Sequence, residues 1–391
     1  MHEFDDIRPY RDDEVSWVVH GLLEDLELSR ALGKFRFPRA YRWFPGPVAK
    51  LIQSKLRQQL RHASTIHHVQ VIIEQYLDKL IETTTDGLVQ NGLQQLSGSR
   101  AYLYISNHRD ITMDPALVNY MLYHHGFGTV QIAIGDNLLK RPFLSKLMKL
   151  NKSFIVKRGL QGRDKLAASK QLSGYINHCI HMGQSVWIAQ REGRAKDGID
   201  KTESAIIKML HMAGRESSDK LSLPVAINAL NIVPVAISYE YDPCDVAKAG
   251  ELHAVATEGR FVKDENTDVQ SILTGIIGNK GVVHVSFGTP VRVGPDAGTE
   301  QVVEAIDSQI VGNYRLHASN LAALELWQPA MVDLKRMLPL CGVDASTLAV
   351  KRIEFARRLQ LAPVHLHLYI LQMYANPLLR RLALDNASVQ P

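Results

Sequence analysis

The residues of this 391-residue chain best suited to moving a proton stand together in Ser106-Asn107-His108-Arg109-Asp110-Ile111-Thr112-Met113-Asp114-Pro115. A histidine can remove a proton near neutral pH if a partner fixes its ring tautomer and stabilises the imidazolium. Asp110 and Asp114 are the local carboxylates able to do so. Each residue also has a plainer reading. A histidine beside a strand end is often structural, and Asp114 precedes Pro115 and the helical pattern Ala116, Leu117, Tyr120, Met121, which is the position of an N-cap. The two roles of Asp114 are compatible, because a capping carboxylate is held rigidly and keeps lone pairs to spare.

Positioning these groups requires a strand that ends where His108 begins. Tyr102-Leu103-Tyr104-Ile105 is such an apolar run, and strand ends are where open α/β sheets carry their sites. Strands are expected at 101–107, 130–135, 153–159, 185–191, 232–241 and 282–291, with helices at 115–124, 137–150, 162–182 and 202–214. This alternation predicts an α/β fold, with a largely parallel central sheet flanked by helices. Before it, residues 1–28 read as an acidic loop and a short helix, and 69–96 as an amphipathic helix with a break near Thr85-Asp86-Gly87. A polar loop is expected around 215–219, and residues 299–384 read as helices throughout. The helix from Pro363 either packs on the core or lies at an interface. The expected domains are a basic N-terminal helical segment (1–80), the α/β domain (81–298) and a helical C-terminal region (299–391).

Composition narrows the class. With 46% hydrophobic and 22% charged residues the chain can bury a substantial core, and a net charge of +5 is small for its length. Cys179, Cys244 and Cys341 are too far apart for a disulfide framework or thiolate metal site, which fits a reducing compartment. The first residues lack the basic and then apolar pattern of a signal peptide, and the apolar stretch 221–239 is interrupted by Pro224, Asn228, Asn231 and Pro234. A cytoplasmic protein without a transmembrane helix is expected. From Leu28 to Ile73 there is no Asp or Glu, while Arg30, Lys34, Arg36, Arg39, Arg42, Lys50, Lys55, Arg57 and Arg61 are interleaved with Phe35, Phe37, Tyr41, Trp43 and Phe44. Basic residues are drawn to anionic headgroups and aromatics suit the interface, so a peripheral position on the inner face of a membrane is the functional reading. A solvated basic helix with its aromatics packed inward is the bland one. No nucleic-acid module accompanies the segment, and no nucleic acid is expected as a partner. The pairs His124 with His125, His178 with His181, and His365 with His367 lack supporting ligands, so no metal is expected. No Gly-x-Ser-x-Gly elbow, phosphate loop or dinucleotide fingerprint occurs, and no cofactor is implied.

Four segments in order carry a family resemblance. Asn107-His108 with Asp114-Pro115 resembles the first block of the glycerolipid acyltransferases, the group of glycerol-3-phosphate and 1-acylglycerol-3-phosphate acyltransferases. Phe154-Ile155-Val156-Lys157-Arg158-Gly159 is similar to the second, Trp187-Ile188-Ala189-Gln190-Arg191-Glu192-Gly193-Arg194 to the third, and Ile232-Val233-Pro234-Val235-Ala236-Ile237 to the fourth. Five residues separate His108 from Asp114 where the family has four, so the catalytic acid is either Asp114, which keeps the Asp-Pro context, or Asp110. In the third block Gln190-Arg191 replaces Phe-Pro, and Arg194 follows Gly193 directly. The resemblance implies acyl transfer from an acyl thioester, acyl-CoA or acyl carrier protein, to the hydroxyl of a glycerophospholipid or glycerol phosphate acceptor. His108 would act as base and Asp114 would orient it. Asn107, Arg109, Lys157, Arg158, Glu192, Gly193 and Arg194 become the substrate-binding candidates, with Arg158 and Arg194 suited to a phosphate. Two alternatives remain: a non-catalytic lipid-binding or scaffold protein of this fold, and a lipid or thioester hydrolase.

Overall fold

The structure, a computed structural model, describes residues 3–139, 141–216, 218, 220–264 and 266–387, without the side chain of Phe35. Phe35 of the basic segment, and Ser217 and Asp219 of the expected polar loop, therefore fall wholly or partly outside the described residues. In chain order the elements begin with α1 (Asp12–Leu23), α2 (Leu26–Arg36), α3 (Pro38–Trp43), α4 (Pro45–Leu60) and α5 (Ile66–Thr84). Then follow β1 (Gly87–Asn91), β2 (Leu103–Ser106), α6 (Met113–His124), β3 (Gln131–Gly135), α7 (Pro142–Leu150), β4 (Ser153–Val156), α8 (Gly162–His181) and β5 (Val186–Ala189). The rest comprises α9 (Ser204–Glu216), α10 (Leu223–Ala229), β6 (Ile232–Tyr239), α11 (Asp245–Glu258), α12 (Thr267–Ile277) and β7 (Val282–Phe287). Five further helices close the chain: α13 (Thr299–Asn313), α14 (Ala318–Trp327), α15 (Leu334–Cys341), α16 (Ala345–Gln360) and α17 (His367–Ala387).

Contacts gather these elements into two compact units, Met1–Lys79 with Val130–Leu172, and Leu80–Thr129 with Ser173–Pro391. The first unit has its own core. Val15, Val18, Val19 and Leu22 form one stripe of α1 at the spacing of a helix face, and they meet Ile66 and Val69 of α5 and Phe143 and Leu150 of α7. Strands β3 and β4 pair in parallel in this unit. Pro38 and Pro45 each start a new helix after a non-helical Phe, which breaks the basic segment into α2, α3 and α4. At that corner Trp43 is 76% exposed and Phe44 63%, whereas Phe37 and Tyr41 are half-buried.

In the second unit the strands run in the order β1-β7-β6-β2-β5. β5, β2 and β6 are mutually parallel, β1 and β7 are parallel, and β6 with β7 is the antiparallel junction. Every residue of β2 and of β6 is buried, as expected for central strands covered on both faces. Pro234 is tolerated in β6 because its missing N–H falls on the β7 side, where pairing with β7 begins only at Val235. One expectation is corrected and one open choice is decided. The helix read over 69–96 ends at Thr84, and Gly87–Asn91 is the edge strand β1, whose partial burial leaves no strong alternation to read. The terminal helix α17 buries Ile370, Met373, Tyr374 and Leu378, so it packs on the core. No described helix is long and apolar enough to cross a membrane.

Candidate active site

The end of β2 is tied down before the histidine is reached. Trp187 of β5 donates from Nε1 to Ser106 Oγ at 3.1 Å, and Ser106 Oγ donates to the Asn107 carbonyl at 2.7 Å. Asn107, fully buried, then continues the β2–β6 ladder with its side chain: Oδ1 accepts from Ile237 N at 2.8 Å and Nδ2 donates to Ile237 O at 2.9 Å. This amide is spent on the protein itself. Asn107 therefore ties the strand end to β6.

His108 follows, with its ring edge against Trp187 and its Nδ1 2.9 Å from Asp114 Oδ2. Asp114 is completely buried in the first turn of α6. Its Oδ2 also accepts from the backbone N–H of Arg109 at 2.6 Å and of Asp110 at 2.9 Å, and its Oδ1 accepts from the Tyr239 hydroxyl at 2.8 Å. A carboxylate surrounded by donors can only accept, so Nδ1 carries the hydrogen and Nε2 presents the lone pair. Nε2 has no hydrogen-bond partner among the described residues, and the side chain keeps 13% exposure. A partly exposed imidazole of fixed tautomer backed by a buried carboxylate is the arrangement of a general base.

Asp110 does different work. Its Oδ1 accepts from the N–H groups of Thr112 and Met113 at 2.9 and 2.8 Å, so Asp110 supplies the helix start that the sequence assigns to Asp114. This turn absorbs the extra residue between His108 and Asp114. Burial, and then the charge of Asp114, push the Asp110 carboxyl above its ordinary value. Arg109 is 5% exposed, pairs with Asp200 Oδ2 at 2.6 Å and lies over the ring of Tyr314, and its carbonyl accepts from Lys248 Nζ at 2.6 Å. Burial opposes its charge, but Asp200 holds the guanidinium protonated above its ordinary value. The Arg109 side chain is thus directed inward and paired within the protein.

The third block wraps the same strand end. Gln190 N donates to Ser106 O, and Ala195 N donates to His108 O, both at 2.8 Å. Between them Glu192 is exposed and Gly193 takes a positive φ of 75°. Arg194 is buried; its Nη2 reaches Glu251 and Ser271 at 3.4 Å, whereas its buried Nη1 has no partner among the described residues. An unpaired buried guanidinium nitrogen is costly without a ligand, which suits an anion. Lys157 and Arg158 belong to the other compact unit. There Lys157 pairs with Asp6 at 2.5 Å, and the Arg158 N–H donates to Asp136 at 3.1 Å.

Comparison with known proteins bears on this strand–histidine–helix arrangement directly. The family model described as Acyltransferase matches residues 87–238, which include His108, Asp114 and the Glu192-Gly193-Arg194 block. Over 194 residues the chain is 28% identical to a glycerol-3-phosphate acyltransferase of Haemophilus ducreyi, and over 192 residues 26% identical to that of Haemophilus influenzae; each alignment covers 49% of this chain. Residues 87–238 are thus similar to the Acyltransferase family, and the rest of the chain lies outside that match. It spans only 22% of the length of either relative. The 1-acyl-sn-glycerophosphate (LPA) acyltransferase PlsC of Thermotoga maritima superposes with a TM-score of 0.37 at 14% identity, covering 73% of this chain and 95% of that one.

Three residues around His108 and Asp114 escaped the sequence reading. Tyr239 lies just past the family match, at the end of β6. Asp200 touches both neighbours of His108, accepting from Arg109 at 2.6 Å and from Asn107 Nδ2 at 3.3 Å. Lys248 is fully buried on α11 and pairs with Asp242. For Asp200 and Lys248 no local signal existed, since charged residues are ordinarily solvated. The alternation of β6 could have placed Tyr239 on the same face as Ile237 and Val235.

Proposed function

We propose that this protein is an O-acyltransferase of glycerophospholipid synthesis. It moves a fatty acyl group from acyl-CoA or acyl-ACP to the hydroxyl of a lysophospholipid or glycerol phosphate, with 1-acylglycerol-3-phosphate the expected acceptor. The observation that carries the reading is the His108 imidazole, paired at 2.9 Å with a fully buried Asp114 inside the acyltransferase match. His108 Nε2 takes the proton of the acceptor hydroxyl as the oxygen attacks the thioester carbonyl. The tetrahedral intermediate then collapses with cleavage of the C–S bond, and the thiolate leaves with the proton returned from Nε2. No acyl-enzyme forms. Arg194, whose Nη1 is unpaired among the described residues, supplies a donor to the acceptor phosphate, and Glu192 and Gly193 beside it complete the binding set.

The membrane partner is assigned to α2–α4, whose exposed Arg36, Arg39, Arg42 and Lys50 adjoin the exposed Trp43 and Phe44, on the inner, cytoplasmic face of the membrane. The reaction is tested by assaying thiol release and ester formation with acyl-CoA and acyl-ACP against a panel of lysophospholipids and glycerol phosphate. Acceptor-dependent transfer that falls at least about 10²-fold in His108→Ala is expected. Transfer indifferent to that substitution removes His108 as the base, no transfer with any acceptor favours a non-catalytic lipid-binding protein, and fatty acid released without acceptor identifies a hydrolase.

A further inference from the structure

The Asp114 carboxylate is gripped unevenly. Its Oδ2 accepts three hydrogen bonds, from Arg109 N, Asp110 N and His108 Nδ1, all supplied by the turn that carries the histidine. Its Oδ1 accepts one among the described residues, from the Tyr239 hydroxyl at 2.8 Å, supplied by β6, 125 positions away. A carboxylate held at one oxygen alone is free to pivot about that oxygen, and the second contact fixes its plane. We propose that Tyr239 is a positioning residue for the His108–Asp114 pair, its hydroxyl locking the carboxylate so that Oδ2 stays aligned with the imidazole.

The register of β6 supports this assignment. Ile237, on the same face of the strand alternation as Tyr239, is clasped by both polar ends of the Asn107 amide, immediately before His108. One strand junction therefore sets the histidine and the tyrosine together, and a one-residue slip would turn Tyr239 to the opposite face. The tyrosine is 5% exposed, so no solvent replaces its hydroxyl if it is removed. Oδ1 would then be a buried carboxylate oxygen without a donor, which makes the carboxylate more basic and raises the proton affinity of the coupled pair. Burial, and then Asp114, keep the phenol well above its ordinary value, so it remains a donor throughout the working range of the pair. The other titratable or charged groups around the pair are Asp110 on the same turn, Tyr314, and the Arg109–Asp200 and Lys248–Asp242 ion pairs. None of them donates to Oδ1, which accepts from Tyr239.

The inference rests on His108 being the base of the proposed reaction, so its test has one readout that needs no turnover. In the full chain labelled with 13C at histidine Cε1, the His108 resonance is assigned by its loss in His108→Ala and titrated in wild type and Tyr239→Phe. The apparent pKa seen at His108 is expected to rise by about one unit in Tyr239→Phe. With acyl-CoA and 1-acylglycerol-3-phosphate, kcat is expected to fall about tenfold with KM changed less than twofold, as for an interaction made only in the transition state. Site-specific 3,5-difluorotyrosine at position 239 keeps the ring and makes the hydroxyl a stronger donor, so the titration should move the opposite way even if Tyr239→Phe does not fold. A His108 titration indifferent to both substitutions overturns the proposal and leaves Tyr239 a satisfied core residue. A titration that moves in a protein that transfers acyl groups to no acceptor keeps the positioning and rejects the acyltransferase reading.

Discussion

At the scale of single residues, the contest between Asp110 and Asp114 is decided by donors rather than by distance along the chain. Asp114 faces four donors, one of them the imidazole, whereas Asp110 spends its Oδ1 on the backbone of the helix start. The two carboxylates should separate cleanly in the kinetics. Asp114→Asn brings an amide N–H₂ among groups that are already donors and removes the charge opposite the imidazolium, so kcat should drop about 10²–10⁴-fold. Asp110→Asn keeps an oxygen able to accept from Thr112 and Met113, so kcat should stay within severalfold of wild type. Steady-state kinetics of the two variants measured side by side check this, and equal losses would contradict the assignment.

At the scale of elements, the segment after the third block shows how helices far away in sequence serve the site. Gly198 has φ +78°, and a Cβ there would overlap the carbonyl oxygen of Met373 in α17. Asn376 of α17 donates to the Asp197 carbonyl at 2.7 Å, and Arg380 donates to the carbonyl of Asp200. The C-terminal helices thereby hold Asp200 against Arg109 and Asn107. The basic corner is an element of another kind, organised outward: Pro38 and Pro45 break the helix, and Trp43 and Phe44 are left exposed among arginines. Its proposed docking predicts that the protein cosediments with vesicles containing anionic phospholipid and is released as salt rises, since exposed charges are screened. Neutralising Arg36, Arg39 and Arg42 to Gln should remove about 1 kcal/mol of binding per charge, and Trp43→Ala should weaken binding without changing the salt dependence. Cosedimentation unchanged by both sets would remove α2–α4 as the contact.

At the scale of the whole molecule, folding is linked to protonation through a pair of neighbouring histidines, of which His317 is buried. His284 of β7 and His317, the residue before α14, have ring centroids 5.4 Å apart. Burial, and then the neighbouring His284 and Arg315, push His317 down to about 3. A histidine whose value falls on folding favours the neutral form in the native state, so the unfolded chain binds the extra proton as pH drops. Stability from this group is complete above its ordinary value of 6.5 and is lost progressively toward 3. Each pH unit in that window costs about 1.4 kcal/mol, so roughly 2 kcal/mol should be gone at pH 5. Urea unfolding at pH 7.5 and pH 5 should show the decline, and His317→Gln should reduce it.

Local periodicity made much of this molecule legible. The apolar runs of β2 to β7 and the stripes of α6 to α9 are short-range patterns, set by how a strand or helix turns its side chains. The edge strand β1 was not, because its half-buried residues lack a clear period, and α11 was not, because the face it buries carries Asp245, Lys248 and Glu251. Sequence alone thus determined that a histidine leaves a buried strand just before a helix, within four ordered blocks. Tertiary structure decided which carboxylate meets it, that Asn107 and Arg109 turn inward, and that Tyr239, Asp200 and Lys248 hold them. The bonds that decide this join residues 125, 91 and 139 positions apart, and ion pairs and hydrogen bonds at such separations leave no periodic trace in the chain.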